Sequence, residues 1–346
     1  MLMSAAVVCP SAASSKYVKA KGGLNYSYAK SVLKIVNKNR KKKKAKKLVL
    51  DKALTKSAMI RAAELSYRYS HIRPNGKKCV TAFKWQQMYG ENIAHGDKSP
   101  QKVMYGWMHS PMHKKNILKK GYTRIGIGCF VNEYGEYYWT QVFSGGKKKA
   151  VCKTKGTKFV DVKIGVKGKA KTKFTVVKNV PKIKSVKVTP SEFVYDGNNH
   201  KLSVVVKDTK GKTVPKKFYS LYGLFSANKI GVYQVGVREI YRARNFTAEA
   251  VVKPPAPTGL RLTQDYYGIR ASWNSFPDND MEYELEYSRN SDFSDSQKIR
   301  AILNYEDITN IRSEGYYYVR VRAFYYDMDR AVYSPWSDPQ SIYIYD

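Results

Sequence analysis

Two histidines and one glutamate lie in three short blocks between residues 70 and 118. His71 lies in SHIRPNG, Glu91 in GENIAHG and His113 in SPMHKKNI. Gly and Pro in these blocks favour turns and helix ends, where a polar side chain can be directed into a cleft. Imidazole and carboxylate groups are suitable ligands for a divalent cation such as zinc and leave a position open for water. We therefore predict a polar cleft formed by these three residues, with His71 and His113 as the candidate metal ligands.

Each residue of this set also has a simpler interpretation. His71 could cap the end of a helix, and Glu91 could accept hydrogen bonds from neighbouring backbone amides, because buried polar groups need partners in any case. His95 and His109 are interpreted as surface residues. Neither GxSxG nor HExxH occurs in the sequence, so the common hydrolase signatures are absent. A ligand-binding cleft and a metal-assisted hydrolase both stay open.

Helices must position these side chains. Apolar residues at helical spacing predict a first helix over 28–40 and a second helix with Thr55 as its N-cap, which ends just before His71. The lysine-rich run at 40–47 is interpreted as a solvated loop between the two helices. Ser-Pro pairs predict the starts of two further helices, at 99–100 and at 110–111.

The last of these helices carries His113 in its first turn, where the positive helix terminus disfavours a protonated imidazole. Two strands follow, RIGIGCFV at 124–131 and YYWTQVF at 137–143, and they are expected to pair as a hairpin. Trp107 and Trp139 are predicted to lie in the core. The first module is therefore predicted to consist of helices packed around a small antiparallel sheet.

These motifs, together with NKNR at 37–40 and LVLDKALTKSAMIRAAE at 48–64, resemble the bacterial branch of the CAP superfamily, also called SCP-like. Relatives of this branch include cysteine-rich secretory proteins, insect venom antigen 5 and plant pathogenesis-related proteins. The resemblance extends from about Tyr28 to about Ser144. It implies an α+β module over 28–145, built as an α-β-α sandwich with an open cleft.

The best-known members of this family line the cleft with two histidines and two acids. His71 matches the first histidine and Glu91 matches the first acid. Ser110 stands where animal and plant members have the second acid, and Tyr138 replaces the second histidine. Bacterial relatives instead carry a histidine where this chain has His113. The resemblance thus implies a cleft with a reduced polar set, and it implies no agreed reaction.

The chain has 346 residues, of which 43% are apolar, and a net charge of +36. The length predicts two to three domains, and the apolar share excludes global disorder. Residues 1–150 carry a net charge of +25 and residues 151–253 carry +17, whereas residues 254–346 carry −6. A basic surface therefore belongs to the first two modules only.

Residues 1–15 combine a short apolar run with small residues, which is typical of the remnant of a secretory signal peptide. No later stretch of about 18 apolar residues occurs, so we expect no transmembrane segment and a secreted or cell-surface protein. Export favours oxidation of cysteines, and Cys79 with Cys129 is the expected disulfide because both lie in the first module. Three reduced cysteines, including Cys152, are the alternative.

The remainder of the chain is predicted to be rich in strands. Residues 146–182 are interpreted as a Lys/Gly-rich linker with connector strands. Residues 183–253 loosely resemble a bacterial Ig-like β-sandwich, and residues 254–346 resemble a fibronectin type III domain. The predicted fold is therefore multidomain, with an α+β module followed by two all-β sandwich modules.

Within the last module, Tyr317, Val319 and Val321 share one face of a strand and are expected to point inward, with Tyr317 as the tyrosine corner. Arg320 and Arg322 should then point outward, where they can stack on the ring of Trp336.

Three functions follow from these patterns. The preferred one is a binding protein whose basic modules contact anionic cell-wall polymers, while the cleft takes an extracellular glycan, lipid or protein segment. The second is a divalent-metal-assisted hydrolase that uses His71, Glu91 and His113. Nucleic-acid binding is disfavoured, because the lysines are scattered and no reading motif accompanies them. The sequence indicates no oligomeric state.

Overall fold

The computed structural model describes residues 15–83, 89–147, 150–266, 268–276, 281–309, 311 and 313–345. The chain divides into two compact units. The first contains the chain up to Ile183 together with Val214–Ser220 and Arg238–Asn245, and the second contains Lys184–Thr213, Leu221–Val237 and Phe246–Asp346. Nearly all of the signal-peptide remnant predicted at 1–15 lies outside the described residues.

The helices lie in the first unit: α1 (Tyr26–Lys42), α2 (Lys52–Leu65), α3 (Pro100–His109) and α4 (Pro111–Leu118). The expected start of α3 is confirmed, because the side chain of Ser99 caps this helix. The expected start of α2 is wrong. Asp51, not Thr55, is the N-cap, and its carboxylate accepts hydrogen bonds from the N–H groups of Ala53 and Leu54. None of the described helices is both long and apolar enough to cross a membrane.

Seven strands of the first unit form one sheet: β1 (Tyr17–Asn25), β2 (Val49–Leu50), β3 (Tyr89–His95), β4 (Arg124–Asn132), β5 (Tyr137–Ser144), β6 (Thr157–Gly165) and β7 (Lys173–Val176). The order is β3-β5-β4-β1-β6-β7, and β2 pairs in parallel with β4. The predicted hairpin of β4 and β5 is confirmed. The connector strands expected within 146–182 are β6 and β7, and they extend the same sheet.

Helix α2 lies directly on β4 because two glycines of that strand leave room for its backbone. A Cβ atom at Gly126 would lie 2.2 Å from the carbonyl oxygen of Leu54, and one at Gly128 would lie 2.1 Å from that of Ala58. Any larger residue would push the helix off the sheet. Trp107 is buried in the core of this unit, as predicted. The close contact fixes the point at which the chain leaves α2 toward His71.

Arg40 departs from the predicted solvated lysine loop. Its side chain is fully buried, and its guanidinium donates hydrogen bonds to the carbonyls of Lys46, Ile117, Lys119 and Tyr122. The cation therefore joins the end of α1 to the last turn of α4 and to the segment that follows it. The lysines beside it are exposed, as expected.

Residues 183–253 form eight strands: β8 (Ile183–Thr189), β9 (Glu192–Val194), β10 (His200–Lys201), β11 (Ser203–Asp208), β12 (Tyr219–Gly223), β13 (Ser226–Ala227), β14 (Gly231–Glu239) and β15 (Asn245–Lys253). They are arranged in separate small sheets, with the orders β10-β13, β11-β8 and β12-β14-β15-β9. The expectation of β-rich sequence in this region is confirmed.

The chain from residue 254 onward is also built of strands: β16 (Arg261–Asp265), β17 (Gly268–Ser272), β18 (Glu282–Ser288), β19 (Gln297–Ala301), β20 (Tyr305–Thr309), β21 (Gly315–Asp327), β22 (Arg330–Tyr333) and β23 (Gln340–Ile344). One sheet has the order β16-β17-β20. The other has the order β19-β18-β21-β22, with β23 also paired to β21.

The predicted faces of β21 are confirmed. Tyr317 and Val319 are buried, and the Tyr317 hydroxyl donates a 3.1 Å hydrogen bond to the Ser313 carbonyl. On the other face, the guanidinium of Arg320 lies 4.7 Å from the centre of the Trp336 ring. A stacked cation–π contact of this kind stabilises the outer face of the strand.

Replacing Arg40 by Met should destabilise the first unit by about 3 kcal/mol, because several buried carbonyls would lose their hydrogen-bond donor. Urea denaturation of the whole chain measures this change. Lys42→Met, on an exposed neighbour in the same helix, is the matched control and should stay within about 0.5 kcal/mol of the parent. If the Arg40→Met variant unfolded at the same midpoint urea concentration as the parent protein, the structural role of Arg40 would be contradicted.

Candidate functional site

The candidate site is built on a buried arginine in α2. Arg61 donates from Nε to Glu91 Oε1 at 2.8 Å and from a terminal nitrogen to Glu64 Oε2 at 3.0 Å. A further bond of 2.7 Å goes to the Ser70 carbonyl. The guanidinium therefore joins α2, the segment after it and strand β3. The side chains of Arg61, Glu64 and Glu91 are almost completely buried. Each charged group therefore needs its ion-pair partners to compensate for the hydrating water that it has lost.

Glu64 holds a second arginine and a residue from a distant part of the unit. Arg73 donates to both carboxylate oxygens of Glu64, at 2.7 and 3.0 Å. The hydroxyl of Thr172, just before β7, donates to Glu64 Oε1 at 2.8 Å. These bonds fix the loop that carries His71 against the helix on one side and the connector strands on the other.

His71 is fixed by Glu91 while its ring stays exposed. Nδ1 of His71 lies 2.8 Å from Glu91 Oε2, and the side chains are 54% and 2% exposed, respectively. An ionised carboxylate only accepts hydrogen bonds, so Nδ1 carries the proton and Nε2 is the nitrogen available to a ligand. The arrangement presents one oriented imidazole nitrogen to solvent.

The charge state of Glu91 follows from these contacts. Burial by itself raises the pKa of the Glu91 carboxyl, but the hydrogen bond from His71 and the charge of Arg61 outweigh it, so the pKa lies below its ordinary value. Glu91 is therefore ionised throughout the physiological range.

Cys79 joins the site through a tight turn. Its N–H donates to the His71 carbonyl at 3.0 Å, and the intervening turn uses Gly76 at φ +80°, a conformation that favours glycine. Donor atoms of His71, Cys79 and Glu91 all lie within 4.8 Å of one another. Burial, and then the charge and hydrogen bond of Glu91, raises the pKa of the Cys79 thiol to about 11.

His113 lies in the first turn of α4, as predicted, and its backbone is tied to β3. Asn92 donates to the His113 carbonyl at 3.1 Å and to Gln141 Oε1 at 3.0 Å, and Asn116 donates to Asn92 Oδ1 at 2.9 Å. Burial, and then the positive charge of His71, lowers the pKa of His113. The direction agrees with the sequence-based expectation, but the causes are burial and His71.

The structure therefore joins His71 directly to Glu91, whereas His113 is linked to this pair by the effect of His71 on its pKa. His113 is not part of the close donor group, which contains Cys79 instead. The simpler roles for His71 and Glu91 do not apply. Helix α2 ends at Leu65 with Ser66 as its C-cap, and the carboxylate of Glu91 accepts from side chains.

Four residues of the site were missed by sequence reasoning: Arg61, Glu64, Arg73 and Cys79. Arg61 and Glu64 stand one turn apart among the apolar residues of α2, and this interruption was the available signal. The Pro-Asn-Gly turn at 74–76 could have placed Cys79 opposite His71.

The cysteines differ from the expected pairing. Cys79, Cys129 and Cys152 are free thiols in the structure. Cys129 is completely buried in the core on β4, while Cys79 lies beside Glu91. This arrangement does not support a Cys79–Cys129 disulfide.

His95 and His109 are exposed, as predicted. Nδ1 of His109 lies 2.8 Å from the Tyr105 carbonyl within α3. The His95 ring packs edge-on against Tyr69, with 4.6 Å between ring centres. Neither histidine belongs to the close donor group around Glu91.

Comparison with known proteins places this site within a described family region. The family model described as "CAP: Cysteine-rich secretory protein family" matches residues 33–143. The uncharacterized protein YkwD of Bacillus subtilis (strain 168) is 35% identical over 125 residues, which are 34% of this chain and 48% of that protein. The chain thus spans about half the length of this curated relative.

Two solved structures are similar over the same share of the chain. An extracellular protein containing a SCP domain from Bacillus anthracis is 22% identical, with 34% of this chain and 40% of that chain covered and a TM-score of 0.32. An outer surface protein from Borrelia burgdorferi is also 22% identical, with 35% and 92% covered and a TM-score of 0.31.

The coupling between the two histidines can be measured. In the parent protein the pKa of His113 should lie below the ordinary value of about 6.5. His71→Ala removes the smaller of the two causes, so the pKa of His113 should rise but stay below that value, because burial is the larger cause. Titration of the imidazole Cε1–H signals by NMR checks both statements.

His109→Ala is the matched control, since this histidine is exposed and contacts Tyr105. It should leave the His113 titration unchanged. An unaltered His113 pKa in His71→Ala would show that the two imidazoles do not share one electrostatic environment.

Proposed function

Since residues 33–143 form a CAP domain, we propose that this protein is a secreted or cell-surface binding protein. His71, Glu91 and His113 would form its recognition site for an extracellular glycan, lipid or peptide. One observation carries the proposal: an exposed imidazole, 54% accessible, is fixed by a carboxylate that is itself held in a buried ion network. A rigid polar group at the surface favours recognition because little freedom is lost on binding.

The chemistry of the neighbouring groups favours binding over hydrolysis. Both oxygens of Glu91 accept hydrogen bonds, and its lowered pKa makes it a weak proton acceptor. Cys79, with a pKa of about 11, is a protonated thiol at neutral pH and a poor nucleophile. No contact among the described residues specifically favours the hydrolase alternative.

The basic surface is proposed to hold anionic cell-wall polymers. Lys34, Lys38 and Lys41 follow one another on the exposed side of α1 and, with Lys47, line a surface groove of about 420 Å³. Ammonium groups at successive helical turns match a chain of regularly spaced negative charges. Such exposed contacts are weakened by salt, because the screening length is about 8 Å at physiological ionic strength.

An extracellular location and the two C-terminal modules belong to the same proposal. The names of the Bacillus anthracis and Borrelia relatives, an extracellular protein and an outer surface protein, support the location. We assign residues 183–253 to an Ig-like module and residues 254–346 to a fibronectin type III module. Buried Trp273 and the bond from Tyr317 to Ser313 support the second assignment.

An array of glycans, lipids, peptides and purified anionic wall polymers, probed with the whole chain at low and high salt, tests the proposal. Ligands of the recognition site should be lost in the double variant His71→Ala/His113→Ala and should persist at high salt. Wall polymers should show the opposite pattern, with retention that falls steeply with salt and survives loss of the histidines.

The array needs two matched controls. His109→Ala should bind like the parent. The triple variant Lys34→Glu/Lys38→Glu/Lys41→Glu should lose the polymers, whereas Lys102→Glu, on an exposed residue of α3, should keep most of the retention. Identical array patterns for the parent and the double histidine variant would overturn the recognition site.

Binding of a divalent cation such as zinc is the second candidate function. Imidazole, thiolate and carboxylate form a common zinc donor set, and His71, Cys79 and Glu91 provide it within 4.8 Å. A metal would have to displace the Cys79 proton and compete with Arg61 for Glu91. The pairing of His71 with His113, expected from the sequence, is the alternative ligand set, with Glu91 orienting the imidazole.

Competition with a chromophoric chelator distinguishes the two sets. If Cys79 is a ligand, Cys79→Ser and His71→Ala should each weaken zinc binding by more than about tenfold, and His113→Ala should have a smaller effect. The affinity for zinc should decrease as the pH is lowered, because protons then compete with the metal for the ligand atoms. Binding that needs His113 and not Cys79 would assign the metal to the histidine pair, and His109→Ala serves as the control.

A further inference from the structure

A polar pocket of about 460 Å³ lies in the second unit, within residues 254–346. It forms where strands β18 and β20 end and strands β19 and β21 begin, and the loop between β18 and β19 also lines it. Among the described residues of its lining, Ile311 alone lacks a polar side-chain atom. The volume falls in the range of about 300–1,000 Å³ that is common for small-molecule sites.

Arg289 supplies the positive charge of this pocket. Its guanidinium donates a 3.1 Å hydrogen bond to the Glu314 carbonyl and lies 5.8 Å from the centre of the Tyr317 ring. Gly315 leaves space for it, since a Cβ atom there would lie 2.9 Å from a terminal nitrogen of Arg289. A guanidinium carries several N–H donors, and within the described part of the chain this one donates only to Glu314. The remaining donors are available to a carboxylate.

Asp295 supplies a negative charge from the loop between β18 and β19. Its Oδ1 atom accepts a hydrogen bond from the hydroxyl of Ser288, which itself accepts from the N–H of Asn290 at 2.9 Å. Both Arg289 and Asp295 line the pocket, but in the described structure their polar contacts go to other residues and not to each other. Two opposite charges thus face one pocket, and a single ligand that carries both charges can contact them.

Neutral groups complete the lining. The Tyr287 hydroxyl donates to Gln297 Oε1 at 2.6 Å, so the amide nitrogen of Gln297 is the side that can donate to a ligand. The hydroxyl of exposed Thr309 is a further donor and acceptor. The half-buried side chains of Tyr287 and Ile311 add an apolar surface.

We propose that this pocket binds one free α-amino acid with an apolar side chain. The ligand carboxylate contacts Arg289 and the ligand ammonium group contacts Asp295. Its side chain packs against Tyr287 and Ile311. A zwitterion compensates both charges of the pocket, whereas a simple anion would be repelled by Asp295 and a simple cation by Arg289. The site is independent of the recognition site in the first unit.

The volume limits the size of the ligand. At about 30 Å³ for each water-sized group, 460 Å³ holds roughly 15 heavy atoms. Phenylalanine, with about 12 heavy atoms, fits this space, and a dipeptide of phenylalanine does not. The ring of the ligand can also pack against the ring of Tyr287, a contact that aromatic pairs favour.

Titration of the full-length protein with L-phenylalanine, followed by saturation-transfer NMR, tests the proposal. The dissociation constant should be about 1 mM or lower, as expected for a ligand of this size in a formed pocket. L-phenylalaninamide lacks the carboxylate, and N-acetyl-L-phenylalanine lacks the ammonium group. Each should bind about tenfold more weakly than phenylalanine, because one hydrogen bond between charged groups is lost.

Two charge variants show which side chain contacts which group of the ligand. In Arg289→Gln, the preference for phenylalanine over its amide should disappear, while the preference over the N-acetyl derivative should remain. In Asp295→Asn, the preference over the N-acetyl derivative should disappear and the other should remain. Combining a change in the ligand with a change in the protein isolates each contact in this way.

The matched controls are Arg261→Gln on β16 and Asp292→Asn in the same loop as Asp295. Both remove a charge from an exposed residue outside the pocket lining and should bind like the parent. Thermal melting by circular dichroism verifies that each variant is folded.

Three results would overturn the proposal: no binding of phenylalanine, folded charge variants that keep both preferences, or binding of glucuronate in place of phenylalanine. The last would assign the pocket to a sugar acid. Because the first unit is unaltered in every variant, failure here leaves the array experiment on the recognition site unaffected.

Discussion

The ion pair of Arg61 with Glu91 is the interaction on which the polar site depends. Both groups are buried, so removal of either would leave an uncompensated charge at a cost of about 3–5 kcal/mol. Arg61 also binds Glu64, which in turn binds Arg73. These two acids and two arginines balance in charge without any histidine. The imidazole of His71 is therefore an addition to a network that is already neutral, and its outer nitrogen is available for contacts with a ligand.

Helix α2 connects two chemically opposite sites. Its first turns supply Ala53, Lys56 and Met59 to the lining of a largely apolar cavity of about 560 Å³ beside β1, β6 and β7, while Arg61 and Glu64, farther along, anchor the polar site. The close contact of this helix with the glycines of β4 keeps both ends in place. One rigid element thus holds a hydrocarbon-lined cavity and a charged site at a fixed distance from each other.

Local sequence signals predicted the elements whose boundaries depend on neighbouring residues. The Ser-Pro start of α3 and the hairpin of β4 and β5 are of this kind, and family motifs located His71 and Glu91. Signals failed where the partner is distant in sequence. A charge run does not reveal that Arg40 alone turns inward, because the carbonyls that accept its hydrogen bonds include Ile117 and Tyr122. In the same way, nothing near Glu64 indicates its bond with Thr172, 108 residues later.

The sheet of the first unit extends beyond the matched family region on both sides. Strand β1 lies between β4 and β6 and pairs with nine residues of β6, from Thr157 to Gly165. A shortened chain cut at residues 33 and 143 would lose β1, β6 and β7 together. It would leave part of the backbone of β4 without partners, as an open sheet edge of the kind that promotes self-association. It would also lack Thr172, whose hydroxyl donates a hydrogen bond to Glu64. A shortened domain that keeps this structure must therefore be longer than the region that the family model matches.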